Sequence, residues 1–409
     1  MPLSLDARLL FTARIVRLFA YGFVAVVLVL YLASLGLDDG RIGLLLSLTL
    51  VGDVVVSLIL TTRADAIGRK RTLIVGALLM IGAAAAFILT RDFTLLVLAA
   101  TIGVISPSGN EVGPFLAIEQ VALAQAAEGR DRTALFAWYN LAGSFATAAG
   151  SLAGGFFTGR LLHGGFSEIN SYRSAIICYA VFGAILAFVF ARVSSGVEGP
   201  HVARDVRSLF HLDRSRGVVA RLSALFALDS FAGGLVVQSI VAYWFASRFH
   251  LRPELLGTIF FGANLLAGIS ALAAARIARR IGLLNTMVFT HLPSNVLLIL
   301  VPLMPTLPLA ITVLLLRFSI SQMDVPTRQA FVIAAVDPAE RTAAAGITGV
   351  ARTTGAALAP IVAMPLIASL AHDWIPFVAA GALKIVYDLA LLWSCRNVQL
   401  EGDQAGVAR

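Results

Sequence analysis

Of the 409 residues, 59% are hydrophobic and only 13% are charged, with a net charge of +8. A soluble globular chain carries about a quarter charged residues, so a water-soluble globule is excluded and lipid must serve as much of the solvent. The basic balance does not indicate nucleic acid, because Lys and Arg gather in alternate connections between apolar runs, the positive-inside pattern that puts both termini in the cytoplasm.

Twelve apolar runs approach the roughly 20 residues that a spanning helix needs: 9–35, 41–62, 72–90, 94–125, 133–158, 173–191, 219–247, 255–275, 284–304, 309–336, 342–368 and 375–394. Met1–Arg17 has no short apolar core followed by a small-residue cleavage site, so no cleaved leader is expected. In the first run Arg14, Arg17 and Tyr21 fall on one face. A charge inside the bilayer is costly unless it faces protein or water. Arg14 is near enough to the end to snorkel, whereas Arg17 is deeper. Asp53, near the middle of the second run, reads either as a partner for Arg14 or Arg17 or as a coupling carboxylate.

Between the second and third runs, Thr61–Arg71 reads as a short basic turn in which Gly68 supplies a left-handed backbone and Arg69, Lys70 and Arg71 supply positive charge. With Asp65, these residues resemble the signature loop between the second and third helices of the major facilitator superfamily, roughly Gly-x-x-x-Asp-Arg-x-Gly-Arg-Lys-Arg. Thr61 replaces its glycine and Ala66 its arginine. The resemblance implies an all-α membrane protein, with twelve transmembrane helices in two six-helix bundles related by pseudo-two-fold symmetry. It also implies a conformational latch at Asp65, Gly68, Arg69, Lys70 and Arg71, with Asp65 beside the start of the eleventh helix near Thr342.

The fourth run is the least lipid-like, since Ser106–Pro114 holds two prolines, two glycines and Glu111 at mid-membrane depth. Such a stretch is tolerated where it lines a cavity or is buried in protein, so a broken helix at a binding site is expected. Glu119 follows two turns after Glu111. The fifth run carries Trp138, Tyr139 and Asn140, then Gly150, Ser151, Gly154 and Gly155. That glycine group resembles a helix 5 motif of antiporters in the same superfamily, which implies export, and close helix packing explains the glycines equally well.

Residues 192–218 form a polar, arginine-bearing connection. Arg132-Thr133-Ala134 recurs as Arg341-Thr342-Ala343, an offset that also sets Ser151 on Pro360, and Ala64, Ile67 and Gly68 recur as Ala278, Ile281 and Gly282. An N-terminal bundle at 1–191, a linker at 192–218, a C-terminal bundle at 219–395 and a cytoplasmic tail at 396–409 follow. Asp229 and Gln238 lie in the seventh run, Asn264 in the eighth and Arg352 in the eleventh. In the tenth, Arg317, Ser321, Asp324 and Arg328 share one face of a continuous helix. Arg317 resembles the arginine that opens a helix 10 motif of the superfamily. Lys384 and Asp388, four residues apart in the last run, are placed to neutralise each other.

No catalytic motif appears. The histidines have no partners at metal-ligand spacing, and there is no phosphate-binding loop or serine elbow. Cys178 and Cys395 suggest neither a disulfide nor a thiolate metal site. The expectation is therefore no enzyme, no metal and no cofactor. The chain reads as a monomeric secondary transporter that moves a small solute by alternating access in a bacterial cytoplasmic (inner) membrane, a placement suited by the excess of Arg over Lys and the abundance of Ala. The primary expectation is proton-coupled efflux of a drug, metalloid or metabolite, and the alternative is proton-coupled import of a small organic or inorganic anion. A channel or a transport-dead receptor is the remote case. Proton-coupling candidates are Glu111 first, then Glu119, Asp229, Asp324 and Asp53. Cavity candidates are Arg14, Arg17, Tyr21, Asn140, Gln238, Arg317, Ser321, Arg328 and Arg352, and Gly150, Gly154, Gly155 and Pro360 serve helix packing. Five arginines against five carboxylates leave the sign of the substrate open.

Overall fold

The computed structural model describes residues 4–126, 132–198, 212 and 214–396. Among the described residues, each of the twelve apolar runs is occupied by one helix or by a broken pair of helices. The first holds α1 (Leu5–Ala25) and α2 (Leu28–Ser34), bent by 44°. The next two hold α3 (Asp39–Ile67) and α4 (Arg69–Leu89), and the fourth holds α5 (Phe93–Ile102) and α6 (Phe115–Ala126). Then come α7 (Arg132–His163), α8 (Glu168–Arg192), the pair α9 (Arg216–Gly234) and α10 (Gln238–Phe249), α11 (Pro253–Ile281) and α12 (Leu283–Leu300). The chain closes with α13 (Leu307–Phe318) and α14 (Asp324–Ala334), α15 (Arg341–Leu358) and α16 (Pro360–Ile367), and α17 (Ile375–Cys395). Among the described residues eight stretches are long and apolar enough to cross a membrane, and the bent α1–α2 pair makes a ninth.

The breaks have local causes. Proline lacks the N–H and clashes with the carbonyl four residues back, so Pro326 cannot sit in a helix that continues through Gln322. It is found instead in the first turn of α14, where the N–H would be unpaired anyway. The stretch from Arg317 to Arg328 is therefore two helices and not the single striped helix expected from spacing. Pro107 and Pro114, with Gly109 and Gly113 at φ of 70° and 81°, likewise hold 103–114 out of helical conformation. Pro360 opens α16.

The turn after the second run is tighter than expected. Helix α3 continues through Thr61–Ile67, and the reversal is confined to Gly68, at φ 105° and ψ 129°. The Arg69 and Lys70 N–H groups then donate to the two carboxylate oxygens of Glu198, at 2.7 and 3.2 Å. The Arg69 guanidinium also donates to the Val197 carbonyl at 3.2 Å. Glu198 thus caps the start of α4, where an anion meets unpaired amides and the positive end of the helix dipole. The Asp65 side chain, and most of the expected linker and tail at 199–211 and 397–409, lie outside the described residues.

The chain forms two compact units. One comprises Met1–Arg204, Val237–Leu265 and Pro360–Leu370, and the other Asp205–Val236, Leu266–Ala359 and Ala371–Arg409. In the first, α1 and α7 approach so closely that a Cβ on Gly22 would collide with the Thr147 carbonyl, one on Gly150 with that of Phe19, and one on Gly154 with that of Phe23. Gly155 abuts Pro253 and Gly257 of α11 in the same way. Ridges of Phe19, Phe23, Phe157 and Phe182 interlock beside this seam. The second unit has its own core of Val219, Leu222, Phe226, Met287, Val288, Phe331, Tyr387 and Leu391. Large apolar side chains such as Leu89, Phe188 and Trp393 stay exposed, as lipid-facing surface requires.

Overpacking typically costs about 1–3 kcal/mol, so Gly154→Ala is expected to lower the thermal unfolding midpoint in detergent. Gly82, with open space beside it, is the control, and Gly82→Ala should leave the midpoint unchanged or raise it.

Candidate functional site

In the first unit, α1 carries Arg14 and Arg17 into the interior, where they are buried. Arg17 is fully enclosed and donates through both terminal nitrogens to the Glu119 carboxylate at 2.6 and 2.7 Å, a bidentate pair. Its Nε donates to Glu111 Oε1 at 2.8 Å, and Arg14 donates to Glu111 Oε2 at 2.7 Å. Arg14 also reaches the Tyr139 carbonyl at 3.0 Å and Asn140 Oδ1 at 3.2 Å. The Tyr139 hydroxyl completes the network by donating to Glu119. Two guanidinium groups and two carboxylates are thus mutually satisfied on α1, α6, α7 and the unwound 103–114 segment.

Asp53 takes no part in that network. Its Oδ1 accepts from the Gly113 N–H at 2.5 Å and from the Ser57 hydroxyl at 3.2 Å, so it pairs with neutral donors and with neither arginine. Tyr21 donates to the Val112 carbonyl at 3.3 Å. Ser106 Oγ donates to the Asn110 carbonyl and Tyr179 to that of Val104, so the unwound backbone is tethered along its length. Nearby, Ser151 Oγ accepts from Gln238 at 3.2 Å and from Asn264 at 3.3 Å while lying against the Gly22 and Thr147 carbonyls. Gln238 is therefore joined to the glycine group on α7.

The second unit holds another buried charge network. Asp229 on α9 accepts from Lys384 at 2.6 Å and from Arg328 at 3.0 Å, and Arg328 also meets Asp324 at 3.2 Å. Lys384 does not pair with Asp388. Although the two share a helical face, Asp388 is turned toward α12, where its oxygens lie 2.9 Å from His291 Nδ1 and 2.9 Å from Asn295 Nδ2. Arg317 and Arg352 each bury an Nε that has no partner, and so does the Ser321 hydroxyl. Arg317 stacks on Phe318 with its guanidinium carbon 5.0 Å from the ring centre, within Coulomb reach of Asp324 and Asp229.

His291, Asn295 and Glu198 were not singled out from the sequence. A histidine inside the apolar run 284–304 is itself a signal, because a polar ring at that depth needs a partner. For Glu198 no local signal existed, since its role depends on where Gly68 brings the α4 amides. Among the described residues no group of three or more His, Cys, Asp or Glu side chains is arranged to hold a metal ion.

The family model of the Major Facilitator Superfamily matches residues 10–360. The chain belongs to that superfamily. It is a multi-pass membrane protein and a secondary transporter of a small solute, with the all-helical fold of its family and no enzymatic role. A Saccharomyces cerevisiae protein, the uncharacterized membrane protein YJR124C, is 29% identical over 95% of this chain and 93% of its own length. Among solved structures, the nucleoside transporter NupG is similar with a TM-score of 0.71 at 17% identity, covering 95% of this chain and 99% of that one. The inward-open xylose transporter XylE from E. coli gives 0.72 at 14% identity, over 97% and 96% of the two chains. At such identities the two structures speak for the fold alone. The yeast relative leaves the bacterial inner membrane resting on composition.

Removing one member of a buried ion pair strands the other and costs about 3–5 kcal/mol, whereas removing both can be nearly neutral. Glu119→Gln should therefore lower stability in detergent more than Arg17→Leu combined with Glu119→Leu. A double-mutant cycle on unfolding midpoints measures the difference.

Proposed function

We propose that this transporter moves a small organic or inorganic anion together with protons. One observation carries the reading. Among the described residues of the second unit four cationic side chains, Arg317, Arg328, Arg352 and Lys384, stand against three carboxylates, Asp229, Asp324 and Asp388, and Arg317 and Arg352 there have unpartnered Nε atoms, as Arg173 has in the first unit. Buried guanidinium donors left open suit a bidentate carboxylate, phosphate or other oxyanion. The first unit has the opposite balance, with two arginines against Glu111, Glu119 and Asp53. A bound proton offsets that excess.

The sequence argument for efflux rests on the glycines of α7. The contacts of Gly150 and Gly154 with the α1 backbone and of Gly155 with α11 account for them as packing residues, so they no longer argue for export, and we read the direction as import of an anion with protons. The bacterial cytoplasmic membrane suits the arginine- and alanine-rich composition, and a monomer suits the family fold.

Proteoliposomes with an imposed inward proton gradient are expected to accumulate at least one radiolabelled anion from a panel of phosphate, sulfate, lactate, succinate and citrate, but neither uridine nor tetraphenylphosphonium. Accumulation of a cation or a neutral solute alone overturns the anion reading. Gradient-driven loss of preloaded anion restores efflux. Hydrogen bonds to charged groups contribute about 1.5–3 kcal/mol, so Arg317→Gln and Arg352→Gln should each raise KM for the accumulated anion about 10- to 100-fold.

A further inference from the structure

Glu111, the carboxylate most suggested by the sequence as the proton carrier, is held by two arginines at 2.7 and 2.8 Å. Glu119 is held by Arg17 and Tyr139. Both carboxylates are therefore already paired with arginine. Asp53 stands apart, since its two donors are a backbone amide and a serine hydroxyl.

Among the described residues no cationic side chain pairs with it. On α3 the nearest bases, Arg41 and Arg63, are more than two turns away, and at the start of the helix Arg41 pairs with Asp38. The packed helices α5 (FTLLVLAATI) and α16 (PIVAMPLI) carry no ionisable side chain. On α2, Tyr31 is spent on the Phe87 carbonyl, and the bases of α4 stand in its first turn beside Gly68. Glu119 on α6 is bound to Arg17. Among the described residues, Glu111 on the unwound segment and Tyr21 on α1 lie within Coulomb reach of Asp53, and neither is a cation.

Asp53 also holds something that can move. Its amide donor is Gly113, at φ 81°, in the stretch where Pro107, Gly109, Gly113 and Pro114 interrupt the helix. Glu111, two residues earlier in that stretch, ties it to both arginines of α1.

We propose that Asp53 is the proton-binding residue and that its ionisation state sets the position of the 103–114 segment. Ionised, Asp53 clamps the Gly113 amide with a charge-assisted bond, which is roughly twice as strong as a neutral one. Protonated, it becomes a poorer acceptor, the clamp weakens, and the segment that carries Glu111 is released to rearrange against Arg14 and Arg17. Asp53 touches the proton, and Glu111 acts as a positioning residue that passes the rearrangement to α1. This rests on the proton-coupled reading above and assigns its site.

The test needs no substrate. In full-length protein with Cys178 and Cys395 replaced by Ser and exposed Asn110 replaced by Cys, reconstituted in proteoliposomes, the labelling rate by a charged maleimide is followed from pH 5 to 8.5 and divided at each pH by the rate for the same cysteine in unfolded protein, so that thiol ionisation cancels and every profile below is this ratio. The parent should label about tenfold faster at the acid end, the shift that loss of one charge-assisted hydrogen bond produces. Asp53→Asn should make the profile flat. Asp53→Glu should restore a sigmoid at a displaced midpoint, which guards against a folding defect in the Asn variant. Glu111→Gln should keep the parent's midpoint. A flat parent profile, an unchanged profile in Asp53→Asn, or a profile abolished by Glu111→Gln overturns the proposal. The coupling reading itself fails separately, in the absence of gradient-driven anion accumulation by the parent.

Discussion

A guanidinium group inside a membrane protein must be paired. Arg17 is wholly enclosed, and an unpaired charge there would carry a desolvation cost of several kcal/mol. The first unit is arranged to meet that demand. It places Glu119 one helix away for a bidentate contact, presses Phe115 against the guanidinium face at 4.6 Å, and unwinds the chain at 103–114 so that Glu111 bridges Arg17 and Arg14. The glycines that let α1 and α7 touch backbone to backbone follow from the same demand, because Arg14 reaches the Tyr139 carbonyl only across so close a seam.

The second unit solves the same problem with a remainder. Asp229 receives two cations and Asp324 shares one of them, while His291 and Asn295 absorb Asp388. Positive charge is left over beside orphaned donors. In the first unit the remainder is a carboxyl. Under the anion–proton coupling proposed above, remainders of opposite sign would give the solute and the proton separate places to act, linked through conformation and not through competition for a single residue.

Helix breaks are where these networks meet the backbone. At 103–114 and between α13 and α14, proline prevents continuation and leaves backbone amides and carbonyls that side chains must satisfy. Tyr21, Tyr179, Ser106, Asp53 and, in the other unit, Ser270 do so. A tether made by a carboxylate can be switched by a proton in the physiological range, whereas one made by a tyrosine hydroxyl, whose ordinary pKa is about 10, cannot.

The sequence by itself determined the class, the twelve helical runs, the broken fourth span and the family, because each is written in local hydropathy, in proline and glycine, or in a short motif. It also determined that Arg17 and Glu111 needed protein or water around them, since charge at that depth is otherwise too costly, while Arg14 stayed open to snorkelling. It did not determine which partner each would take. Spacing along α17 paired Lys384 with Asp388, yet one turns to α9 and the other to α12. Spacing in the tenth run drew one stripe from Arg317 to Arg328, and Pro326 divides it. Asp53 was equally open to an arginine or to a proton, and only the packing of α3 beside Gly113 assigned it a neutral donor. Periodicity reports the face on which a side chain lies. What that face meets depends on contacts between residues distant in sequence, and those exist only in the tertiary structure.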